Sequence, residues 1–394
     1  MITKKLHILF ITAFEINDFA GGVGTVSTTL GTTFQAMGHE AYFLSSSNGD
    51  EKIYNGIKHY FFPKPNSISA NENEQFLKQL LQSLHIDFII NQACIDIPML
   101  KMVKNAVGNN VPIFSVLHNC VGCIQEQYIH IISDSYGKRP WFKLFNNALG
   151  KKFLKAYNRF KYAKMFNAII RYSDKFVLLS PYFIPELDIY IKNYPKEKIT
   201  AIQNPAPFEV TSNPHKENII VFVGRLNLQQ KRVDLLLEIW NRLAPKYPHW
   251  KMIVVGDGPS KEMMEATMLS KNMEHITLVG FQHPKPYLLQ SKIFCMTSAF
   301  EGYPMVLVEA QAMGVVPIAF NSFRALPDII EHKVNGFCID PFDVDAYCST
   351  VELLMRNEDL RNNMALAAQK SIEKFNAHHI AHRWLQLFNE TQTN

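Results

Sequence analysis

Short apolar runs alternate with helical patterns along this chain, and they do so in two successive series. That restricts the fold to parallel-sheet α/β construction carried out twice. The first series places strands near 6–12, 40–46, 87–91, 111–117, 175–180 and 198–203, with helical stretches such as Asn73–Leu84 between them. The second begins at Asn218-Ile-Ile-Val-Phe-Val-Gly-Arg225 and continues with Trp250–Gly256, His275–Gly280, Lys292–Met296 and Val315–Phe320. Between the series, Asn204-Pro205-Ala206-Pro207 and the polar run Thr211–Lys216 break both helix and strand. The expected domains are therefore 1–205 and 206–374, with a last helix over about 375–394. That helix carries Ile380, Trp384, Leu387 and Phe388 at i, i+4, i+7 and i+8, so one stripe of it must be buried.

Within the second series, the run Ser298-Ala299-Phe300-Glu301-Gly302-Tyr303-Pro304-Met305-Val306-Leu307-Val308-Glu309-Ala310 follows a strand and opens a helix. Pro304 suits the first helical position and Gly314 can end the helix. The free N–H groups of Met305 and Val306 would face an anion, helped by the helix dipole. Glu309, one turn further in, can accept from both hydroxyls of a ribose, and Glu301 in the turn can reach a sugar beyond a diphosphate. Gly224-Arg225-Leu226-Asn227-Leu228-Gln229-Gln230-Lys231 follows the strand that opens the series, where a doubly wound sheet binds ligands. Arg225 and Lys231 there can clamp a diphosphate and stabilise the charge that develops on it as it leaves.

The string from Ser298 to Ala310 closely resembles the E-x7-E signature of the retaining, family 4 type nucleotide-sugar glycosyltransferases. The resemblance is strong over about 218–340 and thin over 1–217. It implies the GT-B fold: α/β, with two Rossmann-like doubly wound domains facing across a cleft, the N-terminal one for the acceptor and the C-terminal one for the donor, with the last helix packing back on the first. It further implies that Glu301 lies near the transferred sugar and Glu309 binds the ribose. Gly224, Arg225 and Lys231 match the family's G-R-L followed by a lysine and usually glycine. This chain has one extra residue in the gap and Arg232 where glycine is usual, so Arg232 competes with Lys231 for the role. Gly256-Asp257-Gly258-Pro259 resembles the G-x-G-P turn near the nucleotide, with Gly258 beside the donor, and Val279-Gly280-Phe281 resembles the part beside the base.

In the first series, Gly21-Gly22-Val23-Gly24-Thr25 leads into an expected helix Val26–Met37. It is not a dinucleotide fingerprint, because Ser27 stands at the third glycine position. It resembles the family's GG-V loop near the diphosphate and acceptor, which brings Gly22 to the donor side. His118 closes the strand at Val111–His118, and the resemblance places it beside the transferred sugar, positioning the sugar rather than acting as a base. The implied catalytic set is thus His118, Arg225, Lys231 and Glu301. Donor binding falls to Gly22, Gly224, Gly258, Met305, Val306 and Glu309. No metal and no cofactor is expected: Asp343-Val344-Asp345 after Pro341 reads better as a helix cap than as a metal-binding DxD.

Composition at 394 residues, 47% hydrophobic and 19% charged, is that of an ordinary globular chain of two or three domains. No apolar run approaches the roughly 20 residues of a spanning helix. Lys4-Lys5 and Leu6–Thr12 read as a first strand leading to a glycine loop, not as a signal peptide. The six cysteines lack a scaffold spacing, which suits a reducing cytoplasm; Cys120-Val121-Gly122-Cys123 has no second pair to complete a zinc site. From Gly137 to Lys175 there are eleven lysines and arginines against the single acid Asp174, so the net charge of +5 is local. Aromatic residues are interleaved with them. Lys151, Lys152, Lys155 and Arg159 fall on one helical face and Lys161, Lys164, Arg171 and Lys175 opposite, which excludes one clean amphipathic helix. Either two helical pieces form, or the charges are a solvated surface over a buried aromatic stripe. Contact of 137–175 with an anionic membrane surface is one reading of the stretch. Nucleic acid is disfavoured, since no binding motif accompanies the charge.

The expected protein is a cytoplasmic glycosyltransferase, with peripheral docking at the inner face of the membrane where 137–175 serves it. It would move a sugar from a nucleoside-diphosphate sugar to a glycan or lipid-linked acceptor with retention of anomeric configuration. A nucleotide-sugar epimerase of the same fold and a non-catalytic glycan-binding protein are the competing readings.

Overall fold

The computed structural model of the chain describes residues 4–17, 21–122 and 148–392. They divide into two compact units, one running to Pro207 and resuming at Ala377, the other spanning Phe208–Asn376.

The first unit holds strands β1 (His7–Thr12), β2 (Glu40–Ser45), β3 (Lys52–Tyr54), β4 (Ile57–Phe61), β5 (Phe88–Asn91), β6 (Ile113–Leu117), β7 (Lys175–Leu178) and β8 (Ile199–Ala201). They form one sheet in the order β3-β4-β2-β1-β5-β6-β7-β8. Every pairing is parallel except β3 with β4. The sheet reverses direction between β1 and β5, so the loops after those strands diverge. β3 and β4 add a hairpin to the expected strands; it turns on Asn55 and Gly56, both left-handed at φ 49° and 77°, as a tight two-residue turn requires.

Two helices of this unit differ from expectation. The glycine loop is itself helical: the helix runs Gly21–Ala36, with Gly21 and Gly22 exposed in its first turn. The basic stretch contains one unbroken helix, Ala148–Tyr172, not two pieces, while its part over 137–147 lies outside the described residues, as does Cys123. Asn158, Tyr162, Phe166, Ile169 and Ile170 form the helix's buried face. Its opposite face exposes Phe153, Tyr157 and Phe160 (64, 52 and 69%), followed by Lys164 and Arg171. Apolar residues thus occupy both faces, which is why the sequence shows no amphipathic period. No helix among the described residues is long and apolar enough to cross a membrane.

The last helix, Ala377–Gln392, belongs to this unit and buries Ile380, Trp384, Leu387 and Phe388. Phe388 stacks on Phe88 of β5 with ring centroids 4.3 Å apart and meets Phe114 of β6 edge-on at 5.0 Å. Arg383 donates to the Ala201 carbonyl at 2.7 Å and to the Gln203 side chain, pinning the helix to the end of β8.

The second unit holds β9 (Ile219–Val223), β10 (Lys251–Val255), β11 (Ile276–Gly280), β12 (Ile293–Met296), β13 (Val316–Phe320) and β14 (Phe337–Ile339). The order β11-β10-β9-β12-β13-β14 is wholly parallel, so the chain switches direction across the sheet between β9 and β12. Strands buried on both faces must be continuously apolar, and Ile219–Phe222, Ile293–Met296 and Val316–Phe320 are. The helix Val233–Leu243 covers one face, burying Leu236, Ile239 and Trp240. Tyr347, buried in the helix Val344–Arg356, accepts from the Met296 amide and donates to the Ile318 carbonyl at 2.7 Å. It therefore ties the carboxyl end of β12 to β13.

Because Phe388 fills the space among Phe34, Phe88 and Phe114, Phe388→Ala should lower the stability of the first unit by about 3–5 kcal/mol. Urea denaturation with a probe of that unit measures it; an unchanged midpoint would mean that the last helix contributes nothing to the core.

Candidate functional site

In an open parallel sheet, ligands bind beyond the carboxyl ends of the strands where the strand order reverses. In the second unit that place is flanked by the segments after β9 and β12. The segment after β9 carries the extra residue as a single helical turn, Leu228–Lys231, capped by Asn227, whose side chain accepts from the amides of Gln229 and Gln230. Arg232 ends the turn in the left-handed region at φ 48°, which is why glycine would suit the position. Its guanidinium turns to Asp234, with contacts of 2.8, 3.0 and 3.2 Å, and lies over the Phe342 ring. Lys231 points the other way: its ammonium meets the Glu301 carboxylate at 2.5 Å, with side chains only 12% and 7% exposed.

Further contacts hold that pair and the segments that carry it. Ser298 donates to Glu301 at 2.5 Å, and Gln230 approaches its other oxygen at 3.4 Å. The Thr297 hydroxyl donates to the Lys231 carbonyl, and the Ala299 amide to the Gln230 carbonyl at 2.7 Å, so the two segments are stitched backbone to backbone. Sequence reasoning missed Ser298, Gln230 and Thr297, because only the register of β9 against β12 brings residues some 70 positions apart into contact.

The glycines explain how the segments pack so closely. A Cβ at Gly256 would stand 1.9 Å from the Gly224 carbonyl oxygen, and one at Gly258 would stand 2.4 Å from the Leu226 oxygen. Gly224 itself lies under Lys231, whose Cε a Cβ would meet at 3.3 Å. Arg225 is exposed, and among the described residues it makes no hydrogen bond or ion pair.

The helix after β12 runs Met305–Ala312, with Pro304 as its cap residue and no side-chain cap, so it begins one residue later than expected. Met305 and Val306 open the helix, half-buried. Gly314, at φ 64°, ends it, with the Val315 amide returning to the Ala310 carbonyl. Glu309 lies in its second turn, and no described residue donates to its carboxylate. Burial without a partner pushes that carboxyl up to about 7. Asp343 caps the helix Val344–Arg356 through the Ala346 amide, and Asp345 pairs with Arg242.

His118 and Gly22 belong to the first unit. His118 follows β6, and its Nε2 donates to the Gln92 side chain, beyond the neighbouring β5, at 2.5 Å. Burial lowers the imidazole to about 4, so it is neutral near pH 7 and Nδ1 is left as an acceptor. Gly22 faces open space, with nothing within 4 Å of a Cβ built there.

Residues 204–371 match the family described as "Glycosyl transferases group 1". Over 379 residues the chain is 25% identical to an uncharacterized glycosyltransferase of Haemophilus influenzae, covering 93% of this chain and 95% of that one. The Campylobacter jejuni "GalNAc-alpha-(1->4)-GalNAc-alpha-(1->3)-diNAcBac-PP-undecaprenol alpha-1,4-N-acetyl-D-galactosaminyltransferase" is 26% identical over 208 residues, 52% of this chain and 58% of that protein. Among solved structures, Anabaena HepE in complex with UDP superposes with a TM-score of 0.71 at 15% identity, covering 98% of this chain and 100% of that one. The chain is a glycosyltransferase homologue of the GT-B fold. Its two Rossmann-like sheets are those the sequence pattern implies.

In this GT-B homologue the elevated Glu309 has a consequence for stability. The folded chain keeps the Glu309 proton up to about pH 7, whereas an ordinary glutamate releases it near 4.5. Between these values the folded state binds more protons than the unfolded state, so the residue destabilises increasingly as pH rises, reaching its full effect above 7. Glu309→Gln stays neutral throughout and should gain stability over the parent between about pH 5 and about pH 8. Urea midpoints of both proteins across that range check it; a difference independent of pH would show that Glu309 is not buried as a carboxyl.

Proposed function

We propose that the chain transfers a sugar from a nucleoside-diphosphate sugar to a glycan or lipid-linked glycan acceptor, with retention at the anomeric carbon. The observation that carries this reading is the combination at one sheet's switch point of the buried Lys231–Glu301 pair and the unpartnered carboxyl of Glu309. A cation already held by fixed contacts needs no reorganisation when charge appears on a leaving diphosphate, and that is where an electrostatic catalyst gains most. Lys231 is assigned that part, with the exposed Arg225 beside it. Glu301, held by Ser298 and Lys231, is assigned to the hydroxyls of the transferred sugar. Glu309 is assigned to the ribose, where two hydroxyl donors would favour its ionised form. The amides of Met305 and Val306 and the glycines 224 and 258 are assigned to close backbone approach of the diphosphate. His118, neutral and with Nδ1 free to accept, positions a sugar hydroxyl rather than removing a proton. Support for the donor class comes from the UDP held by HepE, and for the acceptor class from the undecaprenol-linked glycan in the Campylobacter protein's name.

A panel of nucleotide sugars, tested with and without lipid-linked glycans and analysed for anomeric configuration by proton NMR, tests the reading. Epimerised donor in the absence of acceptor would favour an epimerase, and binding without turnover a glycan-binding protein. On the preferred donor, Lys231→Ala should slow transfer by on the order of 10²–10³-fold. Arg232→Gly, which removes a guanidinium committed to Asp234 while keeping the left-handed turn, should change it only a few-fold. The reverse ranking would transfer the catalytic role to Arg232.

The exposed aromatic face of the helix Ala148–Tyr172 favours a membrane-docked enzyme. Phe153, Tyr157 and Phe160 stand beside Lys152, Arg159, Lys161 and Lys164, the pairing of apolar rings and cations that anchors a helix at an anionic interface. The protein should therefore sediment with anionic vesicles at low salt, and replacing the three aromatic residues by serine should abolish this without altering transfer to a soluble acceptor. Absence of vesicle binding by the parent protein would retire membrane docking and leave the transferase reading intact.

A further inference from the structure

At the opposite end of the second unit's sheet from Lys231 and Glu301 lies a cavity of about 380 Å³. Lys216, shortly before β9, Lys292, immediately before β12, and Arg361, on the helix Glu358–Ser371, all line it. The only acid in its wall is Glu358, whose carboxylate is 71% exposed and 3.8 Å from the guanidinium of Arg361. Ser212 and Asn362 add neutral polar groups to the rim. Three cations and one acid leave the wall with net positive charge inside a concavity.

The protein satisfies these cations only in part. Lys216 donates to the carbonyls of Ser291 and Leu288, at 2.7 and 3.4 Å, and Lys292 to the side-chain oxygen of Asn218 at 2.8 Å. All of these acceptors are neutral. Arg361 is 4% exposed, lies over the Trp250 ring and gives one N–H to the Leu354 carbonyl, yet its buried Nε–H has no partner. A guanidinium so placed is expensive unless a counter-ion completes it. The strain also appears in the lysines. Burial, and then the charge of Lys292, lower Lys216 to about 8, and burial, then Arg361, lower Lys292.

We propose that this cavity is a binding site for a phosphate group, carried by a small phosphate monoester or free in solution, and separate from the donor site. Phosphate fits the arrangement because its two charges match the excess in the wall, and its several oxygens can accept from two ammonium groups and a guanidinium at once. The cavity's volume, about 380 Å³, falls in the range of small-molecule sites, so an ester's organic portion has room. A bound dianion would relieve the mutual repulsion of the three cations, and the folded second unit would be stabilised in proportion to its occupancy.

Isothermal titration calorimetry of the full chain with inorganic phosphate, glucose 6-phosphate and uncharged glucose tests the proposal. Phosphate and its ester should bind with millimolar affinity or better, and glucose should not. Tighter binding of the ester identifies a phosphate monoester as the natural ligand, and equal binding identifies free phosphate. Lys216→Met or Lys292→Met should each weaken binding about tenfold, the equivalent of one charge-assisted contact. Asn362→Asp, at an exposed position that makes no described hydrogen bond, should weaken it similarly without disturbing the fold, which circular dichroism confirms. Lys231→Ala should leave it unchanged. No heat at millimolar phosphate, or binding that survives all three cavity substitutions, or binding lost only with Lys231→Ala, would overturn the site.

Discussion

The second unit is organised around one buried ion pair. Lys231 and Glu301 come from segments that leave the carboxyl ends of β9 and β12, strands that pair directly and then send their chains in opposite directions across the sheet. Removing two charges from water is costly, and attraction between them offsets that cost only when further hydrogen bonds complete the pair. Here Ser298 and Gln230 complete the carboxylate, and the bonds from the Thr297 hydroxyl and the Ala299 amide to backbone carbonyls fix the segments that carry it. Glycine at 256 and 258 is the steric condition for this arrangement, since any side chain would collide with the backbone after β9. Tyr347 supports it from below by holding the end of β12 against β13.

Around the pair, two carboxyls of similar sequence context acquire different electrostatics. Glu301 is held as a partner of a cation, whereas Glu309, eight residues on in the following helix, is half-buried with no described donor, and desolvation raises its carboxyl to about 7. The site thus holds one satisfied charge and one carboxyl awaiting donors, a division of labour set by surroundings and not by residue type. At the other end of the sheet the imbalance has the opposite sign, with three cations set against a single, largely exposed acid, Glu358. The two ends of the same parallel sheet therefore present different chemistries to solvent.

Much of the architecture was legible because parallel strands buried on both faces must be written as continuous apolar runs. Ile219–Val223, Lys251–Val255, Ile276–Gly280, Ile293–Met296 and Val316–Phe320 all lie where those runs stand. β14, at Phe337–Ile339, is too short to stand out, and β3 and β4 alternate in burial, so the Asn55-Gly56 turn was their only strong signal. The glycines at 21 and 22 suggested a loop because glycine is a poor helix former, yet tertiary packing of Val26, Leu30 and Phe34 extends the helix back over them. The helix Ala148–Tyr172 could not be oriented from its period, since Tyr162 and Phe166 are buried while Tyr157 and Phe160 are not.

The sequence by itself determined the two-sheet α/β construction, the position of the glycines and the identity of the charged residues beside them, because these depend on local pattern and on turn chemistry within a few residues. Only the tertiary structure decided which charges meet. Lys231 and Arg232 are adjacent in sequence, but the left-handed turn at Arg232 sends one to Glu301 and the other to Asp234. The cluster of Lys216, Lys292 and Arg361 has no sequence signature at all, because its members are separated by some 70 residues or more and meet only where the parallel strands begin. Local geometry follows from neighbouring residues; the field at a site is the sum over residues that folding alone brings together.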